Sequence, residues 1–123
     1  MLRDQQGRTL ADVERLTAGL PVTLNTSGRL HDVPLAVSRE AYRLAQEAVT
    51  NALKHDPHGP IDVRVAVGSQ RLTLEVGNTL RDAGEPGGAR GLTGMRERVA
   101  LLGGVLDAGP ADGRWRVRAE VPW

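Results

Sequence analysis

Apolar residues recur along this chain with two different periods, about 3.6 residues in some segments and 2 in others. The longest helical pattern runs from Ser38, a favourable N-cap, to about His55, where Asp-Pro and Gly-Pro pairs end it. A shorter helical pattern spans residues 9–19, with Thr9 as N-cap and Gly19 as its stop. The apolar face of the long helix comprises Ala41, Leu44, Ala45, Ala48, Val49 and Ala52.

Alternating apolar and polar positions predict the strands. They lie over residues 22–27, 61–67, 72–76, 105–108 and 115–121. Gly68-Ser69-Gln70 separates the second strand from the third, and residues 109–113 separate the last two, so both pairs are predicted to be antiparallel hairpins. Thr93 is expected to cap a further helix, which runs to about Leu102 before a Gly-Gly pair.

Residues 77–91 follow neither period and contain five Gly and one Pro, which predicts a mobile loop. The order of elements favours an α+β sandwich, in which one mixed and mostly antiparallel sheet lies under about three helices. We expect residues 1–123 to form a single domain, with residues 1–20 serving as linker and first helix.

Composition narrows the classes of function. The net charge is +1 and the basic residues form no dense stripe, so we expect no nucleic-acid partner. The lack of cysteine excludes disulfides and thiolate chemistry and fits a reducing compartment. The sequence contains no apolar run near the roughly 18 residues of a membrane span, and residues 1–10 are polar. We therefore expect a cytoplasmic domain without membrane contact.

Polar side chains border the apolar face of the long helix. Glu47 and Asn51 are one turn apart, so their head groups can converge on one ligand. An amide oxygen suits Mg²⁺, and a nearby carboxylate can accept a proton or orient a metal-bound water. Lys54 could pair with a phosphate, and His55 could stack beside a nucleotide or cap the helix. All of them would equally suit a solvated helix edge.

The stretch 87–98, GGARGLTGMRER, is rich in glycine and runs into a predicted helix. It contains Gly87, Gly88, Arg90, Gly91 and Gly94. Glycines let backbone N–H groups approach an anion, and a helix N-terminus adds a positive end, so a phosphate site is one interpretation. The alternative is a flexible linker, followed by Arg96 and Arg98 in ion pairs with carboxylates on a solvated face.

Together these segments resemble the ATP-binding catalytic domain of sensor histidine kinases, a branch of the GHKL class. The family's asparagine box, E-x-x-x-N-A-h-K-H, corresponds to residues 47–55, and its late glycine box, G-L-x-G-M-R-E-R, corresponds to residues 91–98. The order, the intervening hairpin and the closing LLGG also match, so the resemblance extends from about Leu10 to Trp123. The GMRER sequence is typical of the NarL/DesK-like subgroup.

The resemblance implies a two-layer GHKL sandwich that binds Mg-ATP beneath a flexible lid, residues 79–91. Glu47 would be catalytic, by polarising the reacting group or a metal-bound water, and Asn51 would coordinate Mg²⁺. The implied cofactor-binding set is Asn51, Lys54, His55, Asn78, Gly88, Arg90, Gly91, Leu92, Gly94 and Met95.

The resemblance also implies partners. The γ-phosphoryl group would pass to a histidine on the dimerisation and phosphoacceptor domain of the same kinase, and from there to a response regulator. This chain lacks that helix pair, so we expect a monomer, either excised from a longer kinase or standing alone. His31-Asp32 and His55-Asp56 have the expected dipeptide, but Pro34 and Pro57 follow closely, which places both histidines in loops or caps.

The chain departs from the family pattern in the first glycine box and in the lid. Asn78 stands where the family has an adenine-binding Asp, and Leu80 replaces a glycine. Ala89 and Arg90 stand where Gly and His are common. Two alternatives therefore remain: a serine/threonine kinase of the anti-sigma type, which GMRER and LLGG disfavour, and an interaction module that binds no nucleotide.

Overall fold

One face of a twisted sheet carries the helices of this protein. The structure, a computed structural model, describes residues 8–79 and 89–123. Within these ranges the helices are α1 (Val13–Thr17), α2 (Leu35–His55) and α3 (Ala89–Leu101). The strands are β1 (Val22–Ser27), β2 (Ile61–Gly68), β3 (Arg71–Thr79), β4 (Val105–Ala111) and β5 (Arg114–Pro122). Two 3₁₀ turns, Leu10–Asp12 and Leu30–Asp32, precede α1 and α2.

The five strands pair in the order β1-β2-β3-β5-β4. β1 is parallel to β2, because α2 forms the crossover between them, and the other three pairings are antiparallel. In the β3–β5 pair, Asn78 lies opposite Trp115. The predicted α+β architecture, with a mixed and mostly antiparallel sheet under helices, is confirmed.

The hydrophobic core fills the space between the sheet and the helices. Its strand residues are alternate ones, as a strand with one buried face requires. From β2, β3 and β5 they include Ile61, Val63, Val65, Leu72, Leu74, Val76, Ala119 and Val121. Four alanines of α2 face them: Ala41, Ala45, Ala48 and Ala52. Because alanine is small, the axis of α2 can lie close to the sheet.

The opposite face of the sheet is polar and ion-paired. Arg116 on β5 lies 3.6 Å from Glu75 on β3, measured between Nε and Oε1. Arg114 Nη2 reaches Asp62 Oδ2 on β2 at 2.6 Å, which requires its side chain to cross β3. It crosses beside Gly77, where an added Cβ would lie 3.6 Å from the guanidinium. This face therefore meets water. No helix in the described ranges is long and apolar enough to cross a membrane.

The start of α2 differs from the prediction. The helix begins at Leu35, three residues before Ser38, because Pro34 occupies the N-cap position without a side-chain cap. Ser38 is buried, and its Oγ accepts a hydrogen bond of 3.0 Å from the Leu10 N–H. The predicted N-cap is therefore wrong: the hydroxyl fastens the N-terminal 3₁₀ turn to α2 instead. The predicted end at His55 is confirmed.

The N-terminal segment is less helical than predicted. Thr9 caps as expected, but it caps the 3₁₀ turn Leu10–Asp12 through a reciprocal box with Asp12. The helix that follows ends at Thr17, two residues before Gly19.

The loop predicted over residues 77–91 is too long at both ends. β3 continues through Thr79, and α3 begins at Ala89, so Thr93 lies in the helix and is not its cap. Residues 80–88, which include Leu80 and Gly88, lie outside the described residues, and the lid there remains a prediction. The predicted glycine stop is confirmed, since the Gly103 and Gly104 N–H groups bond to Ala100 and Val99 at 2.9 Å, the pattern of a Schellman motif.

The final hairpin turns more tightly than predicted. β4 and β5 extend as far as Ala111 and Arg114, so the turn consists of Asp112 and Gly113 alone. Both residues have positive φ, 54° and 75°, as the two central positions of a type I′ turn do.

Ser38→Ala is expected to lower the free energy of unfolding by about 1–3 kcal/mol, because the buried Leu10 N–H loses its acceptor. Urea denaturation followed by circular dichroism measures this. Thr93→Ala is the control, since Thr93 is exposed within α3 and is expected to change stability by less than about 0.5 kcal/mol. Equal losses in both variants would contradict the assignment of Ser38 as the fastening residue.

Candidate functional site

A cleft opens between α2, α3 and the ends of β3 and β5. Its lining consists of Ala48, Asn51, Ala52, His55, Val76, Asn78, Leu92, Met95, Trp115 and Val117. Most of this lining is apolar, with Asn51, His55 and Asn78 as polar groups around it. An apolar cleft with a few convergent polar side chains is typical of a small-molecule site.

Helix α2 contributes two polar residues to the cleft. Asn51 and His55 are four residues apart, so one face of the helix carries both. Asn51 is partly buried, whereas His55 is exposed and is the last residue of α2. The next residue, Asp56, is the C-cap, and its N–H donates to the Ala52 carbonyl at 2.8 Å. His55 therefore lies at the end of α2 and in the wall of the cleft, and its stacking beside a nucleotide stays a prediction.

Glu47 lies one turn before Asn51 but outside the lining of the cleft. Its carboxylate forms an ion pair with the Nη1 of Arg98 on α3. The Nε of the same guanidinium is 3.5 Å from Glu40 Oε1, so Arg98 bridges two carboxylates that are two turns apart on α2. The predicted ion pairing of Arg98 with carboxylates is confirmed, and a role of Arg98 toward a phosphate stays a prediction.

This three-residue bridge is partly solvated. The side chains of Arg98, Glu40 and Glu47 are 30%, 32% and 41% exposed. Ion pairs with this exposure contribute roughly 0–1 kcal/mol, because water competes for both charges. The bridge therefore orients Glu47 without holding it irreversibly, and Glu40 remains beside the arginine if Glu47 leaves.

Asn78 lies at the floor of the cleft and is 5% exposed. Its Nδ2 donates a hydrogen bond of 3.2 Å to the Thr79 carbonyl, which orients the side-chain amide. Trp115 lies directly across from it on β5, and the two residues line the cleft side by side.

The late glycine box lies within α3 rather than in a loop. Leu92 and Met95, both buried, form the α3 wall of the cleft. Gly94 belongs to the same helix, next to open space. Arg90 and Gly91 are in its first turn, where N–H groups have no acceptor within the helix. Gly91 and Gly94 are therefore helical residues rather than loop residues, and their contact with a phosphate stays a prediction.

Among the predicted residues whose side chains the structure describes, Lys54 does not line the cleft. Lys54 is exposed near the end of α2, and Gly88 lies outside the described residues. In the part of the chain that the structure describes, no cluster of three or more His, Asp or Glu side chains offers a ready-made metal site. Five predicted residues meet in the cleft: Asn51, His55, Asn78, Leu92 and Met95.

Trp115 is one of five cleft residues that the sequence analysis did not name as site residues, and it is the aromatic one. It stands at an inward-facing position of the last strand, but many inward residues are simply core. Its place beside Asn78 depends on the register of β3 against β5, which joins residues 37 positions apart. The weak signal available was an aromatic residue in a chain with only two Trp, one Tyr and no Phe.

No model of a known protein family matches the chain. Individual sensor kinases do. DegS of Bacillus subtilis, a signal transduction histidine-protein kinase/phosphatase, is 35% identical over 105 residues, which is 79% of this chain and 27% of DegS. The sensor histidine kinase YxjM of the same organism is 32% identical over 90 residues, 72% of this chain and 22% of YxjM. UhpB of Salmonella typhimurium, a kinase/phosphatase like DegS, is 32% identical over 100 residues, 76% of this chain and 19% of UhpB. The chain thus spans about a quarter or less of each relative.

Solved structures share the fold. The blue-light activated histidine kinase of Erythrobacter litoralis superposes with a TM-score of 0.72 at 24% identity, over 97% of this chain and 43% of that one. The catalytic domain of the histidine kinase ThkA superposes with a TM-score of 0.61 at 13% identity, over 98% of this chain and 91% of that one. At these identities the likeness establishes the architecture. The sequence relatives establish the family. The chain therefore belongs to the sensor histidine kinases and has the fold of their catalytic domain.

Proposed function

We propose that this domain binds Mg-ATP in the cleft and donates the γ-phosphoryl group to a histidine on a separate dimerisation domain, in two-component signal transduction. The observation that carries the proposal is the meeting of two distant motifs. Asn51 and His55 come from the asparagine box, Leu92 and Met95 from the late glycine box, and all four line one cleft with Asn78 between them. DegS, YxjM and UhpB are named as histidine kinases, which supports the kinase part of the proposal.

The lining suits the parts of a nucleotide. An aromatic and aliphatic lining, which includes Trp115, Val76 and Met95, is suited to a base. The carboxamide of Asn78 can accept a hydrogen bond from an amine at the base edge, although a neutral amide makes a weaker bond than a carboxylate. The first turn of α3 offers N–H groups and the positive end of a helix to phosphates.

Asn51 is the proposed ligand for Mg²⁺. Its amide oxygen is a hard neutral donor, and Mg²⁺ takes one or two protein oxygens together with phosphate oxygens and water. When bound, Mg-ATP supplies the electrophilic phosphoryl group and the metal that neutralises its charge. Arg90 and Lys54 are the proposed sources of further positive charge near the phosphates.

Glu47 is the proposed catalytic carboxylate. To orient the acceptor or take its proton, the carboxylate has to leave Arg98, with which it is paired in this structure. The exchange costs little, because the pair is partly exposed and Glu40 already lies beside the same guanidinium.

The proposed acceptor is a histidine of the parent kinase's dimerisation domain, with a response regulator downstream. We place the domain in the cytoplasm, monomeric in isolation.

Asn51→Ala is expected to weaken Mg-dependent binding of a non-hydrolysable ATP analogue at least tenfold, with little change in folding, because the metal loses its protein ligand. Calorimetric titration with and without Mg²⁺ measures this. Asn25→Ala, an asparagine exposed on β1, is the matched control and is expected to bind as the wild type does. Undiminished Mg-dependent binding by Asn51→Ala would remove Asn51 as the ligand. No binding by the wild type at millimolar nucleotide would favour the nucleotide-free interaction module.

Glu47→Gln is expected to leave nucleotide affinity within about threefold and to slow phosphotransfer to a supplied histidine domain by about 10²–10⁴, the usual contribution of a positioned proton acceptor. Transfer of radiolabelled phosphate measures the rate. Glu40→Gln is the matched control, because it removes the other carboxylate from Arg98 and leaves Glu47 in place. If both variants transfer at the wild-type rate, Glu47 has no catalytic role.

A further inference from the structure

The pairing of β3 with β5 places the indole of Trp115 beside Asn78, the side chain proposed to hydrogen-bond the edge of the base. Trp115 and Asn78 are directly opposed residues of adjacent antiparallel strands. Opposed residues carry their Cβ atoms on the same face of the sheet, about 4.5–5.5 Å apart. Both line the cleft between the sheet and the helices.

Trp115 is not enclosed by the core. Its side chain packs against the hydrophobic core yet remains partly exposed, and it borders the cleft. The inward residues that follow on β5, Val117, Ala119 and Val121, are all buried. Trp115 is thus the point on this strand where the inward face passes from the core to an open cleft.

A partly exposed tryptophan beside a hydrogen-bonding amide can stack on the face of a base while the amide binds the edge of that base. Every base presents a π-face, and a purine presents a larger one than a pyrimidine. Stacking of a base on an aromatic side chain contributes enough that alanine substitution weakens binding about 5- to 150-fold.

We propose that Trp115 contacts the base of the bound nucleotide and makes the cleft selective for purine over pyrimidine nucleotides. This inference rests on the proposed function, since it concerns the nucleotide of the same cleft. Asn78 supplies the edge contact, and its amide is oriented by its bond to the Thr79 carbonyl. A neutral amide binds an amine less strongly than a carboxylate does, which lowers the affinity for the base. Stacking on Trp115 offsets part of that lost affinity.

The chain contains a natural control for this proposal. Its second tryptophan, Trp123, lies eight positions further along, and its N–H donates to the Gln70 carbonyl at the β2–β3 turn. Eight residues of extended chain span about 26 Å, so Trp123 is at the far end of the strand from the cleft. A fluorescence change on nucleotide binding can therefore be assigned to one indole or the other.

The experiment titrates the chain with non-hydrolysable ATP and GTP analogues and with CTP, each with Mg²⁺, by tryptophan fluorescence and by calorimetry. Wild type and Trp123→Phe are expected to show the same emission change on binding the purine analogues, and Trp115→Phe is expected to lose it. Trp115→Ala is expected to bind ATP analogue about 5- to 150-fold more weakly, with a smaller loss for CTP, so that purine preference falls.

Two results would overturn the inference alone. One is that the wild type binds nucleotide and Trp115→Ala binds it as tightly or more tightly. The other is that the emission change is lost in Trp123→Phe and kept in Trp115→Phe. Failure of the wild type to bind any nucleotide by calorimetry would overturn the proposed function together with this inference. Circular dichroism and thermal melting establish that each variant is folded. If Trp115→Ala is not folded, the purine preference of Trp115→Phe decides: its smaller aromatic face is expected to lower the preference, and an unchanged preference would overturn the inference.

Discussion

The close packing of α2 on the sheet is the constraint on which the rest of the structure depends. Four alanines on one face of the helix lie against valines and leucines of β2 and β3, all buried. Larger residues there would push the helix away from the sheet and open the core. Because this distance is set by alanine, the polar edge of the same helix is held beside the sheet, and Asn51 and His55 are brought to the rim of a cleft instead of to open solvent.

A second consequence of the same packing is that α3 has to complete the site. Ala48 and Ala52 leave the cleft side of α2 with small side chains, and Leu92 and Met95 line the same cleft from the other helix. The α3 helix is anchored at its C-terminus by the glycine turn, in which a Cβ at Gly104 would lie 2.3 Å from the Glu120 carbonyl. The C-terminal end of α3 is thus held close to β5, and the opposite face of the sheet carries the cross-strand ion pairs of Arg114 and Arg116.

Local patterns predicted the elements, the family motifs predicted five of the ten residues that line the cleft, and tertiary contacts decided the remainder. Asn51 and His55 were predictable because helical spacing is set by the sequence alone. Ser38 and Thr93 were both given cap roles that their residue types suit, but Pro34 and the earlier start of α3 placed them inside helices. Trp115 was beyond reach, because its importance comes from its partner Asn78 on a strand 37 residues away. No local pattern encodes such a register.

The Arg98 bridge shows why a motif residue need not act on the ligand to matter for the site. Its guanidinium lies between Glu40 and Glu47, so α3 is linked by charge to the carboxylate proposed for catalysis. Such a link is weak enough in water to exchange its partner and directional enough to bias where that partner points. A shift of α3 along its axis would move the Arg98 guanidinium relative to Glu40 and Glu47, which lie on α2, and a charged hydrogen bond depends on such distances and angles. The orientation of Glu47 is therefore sensitive to the position of α3.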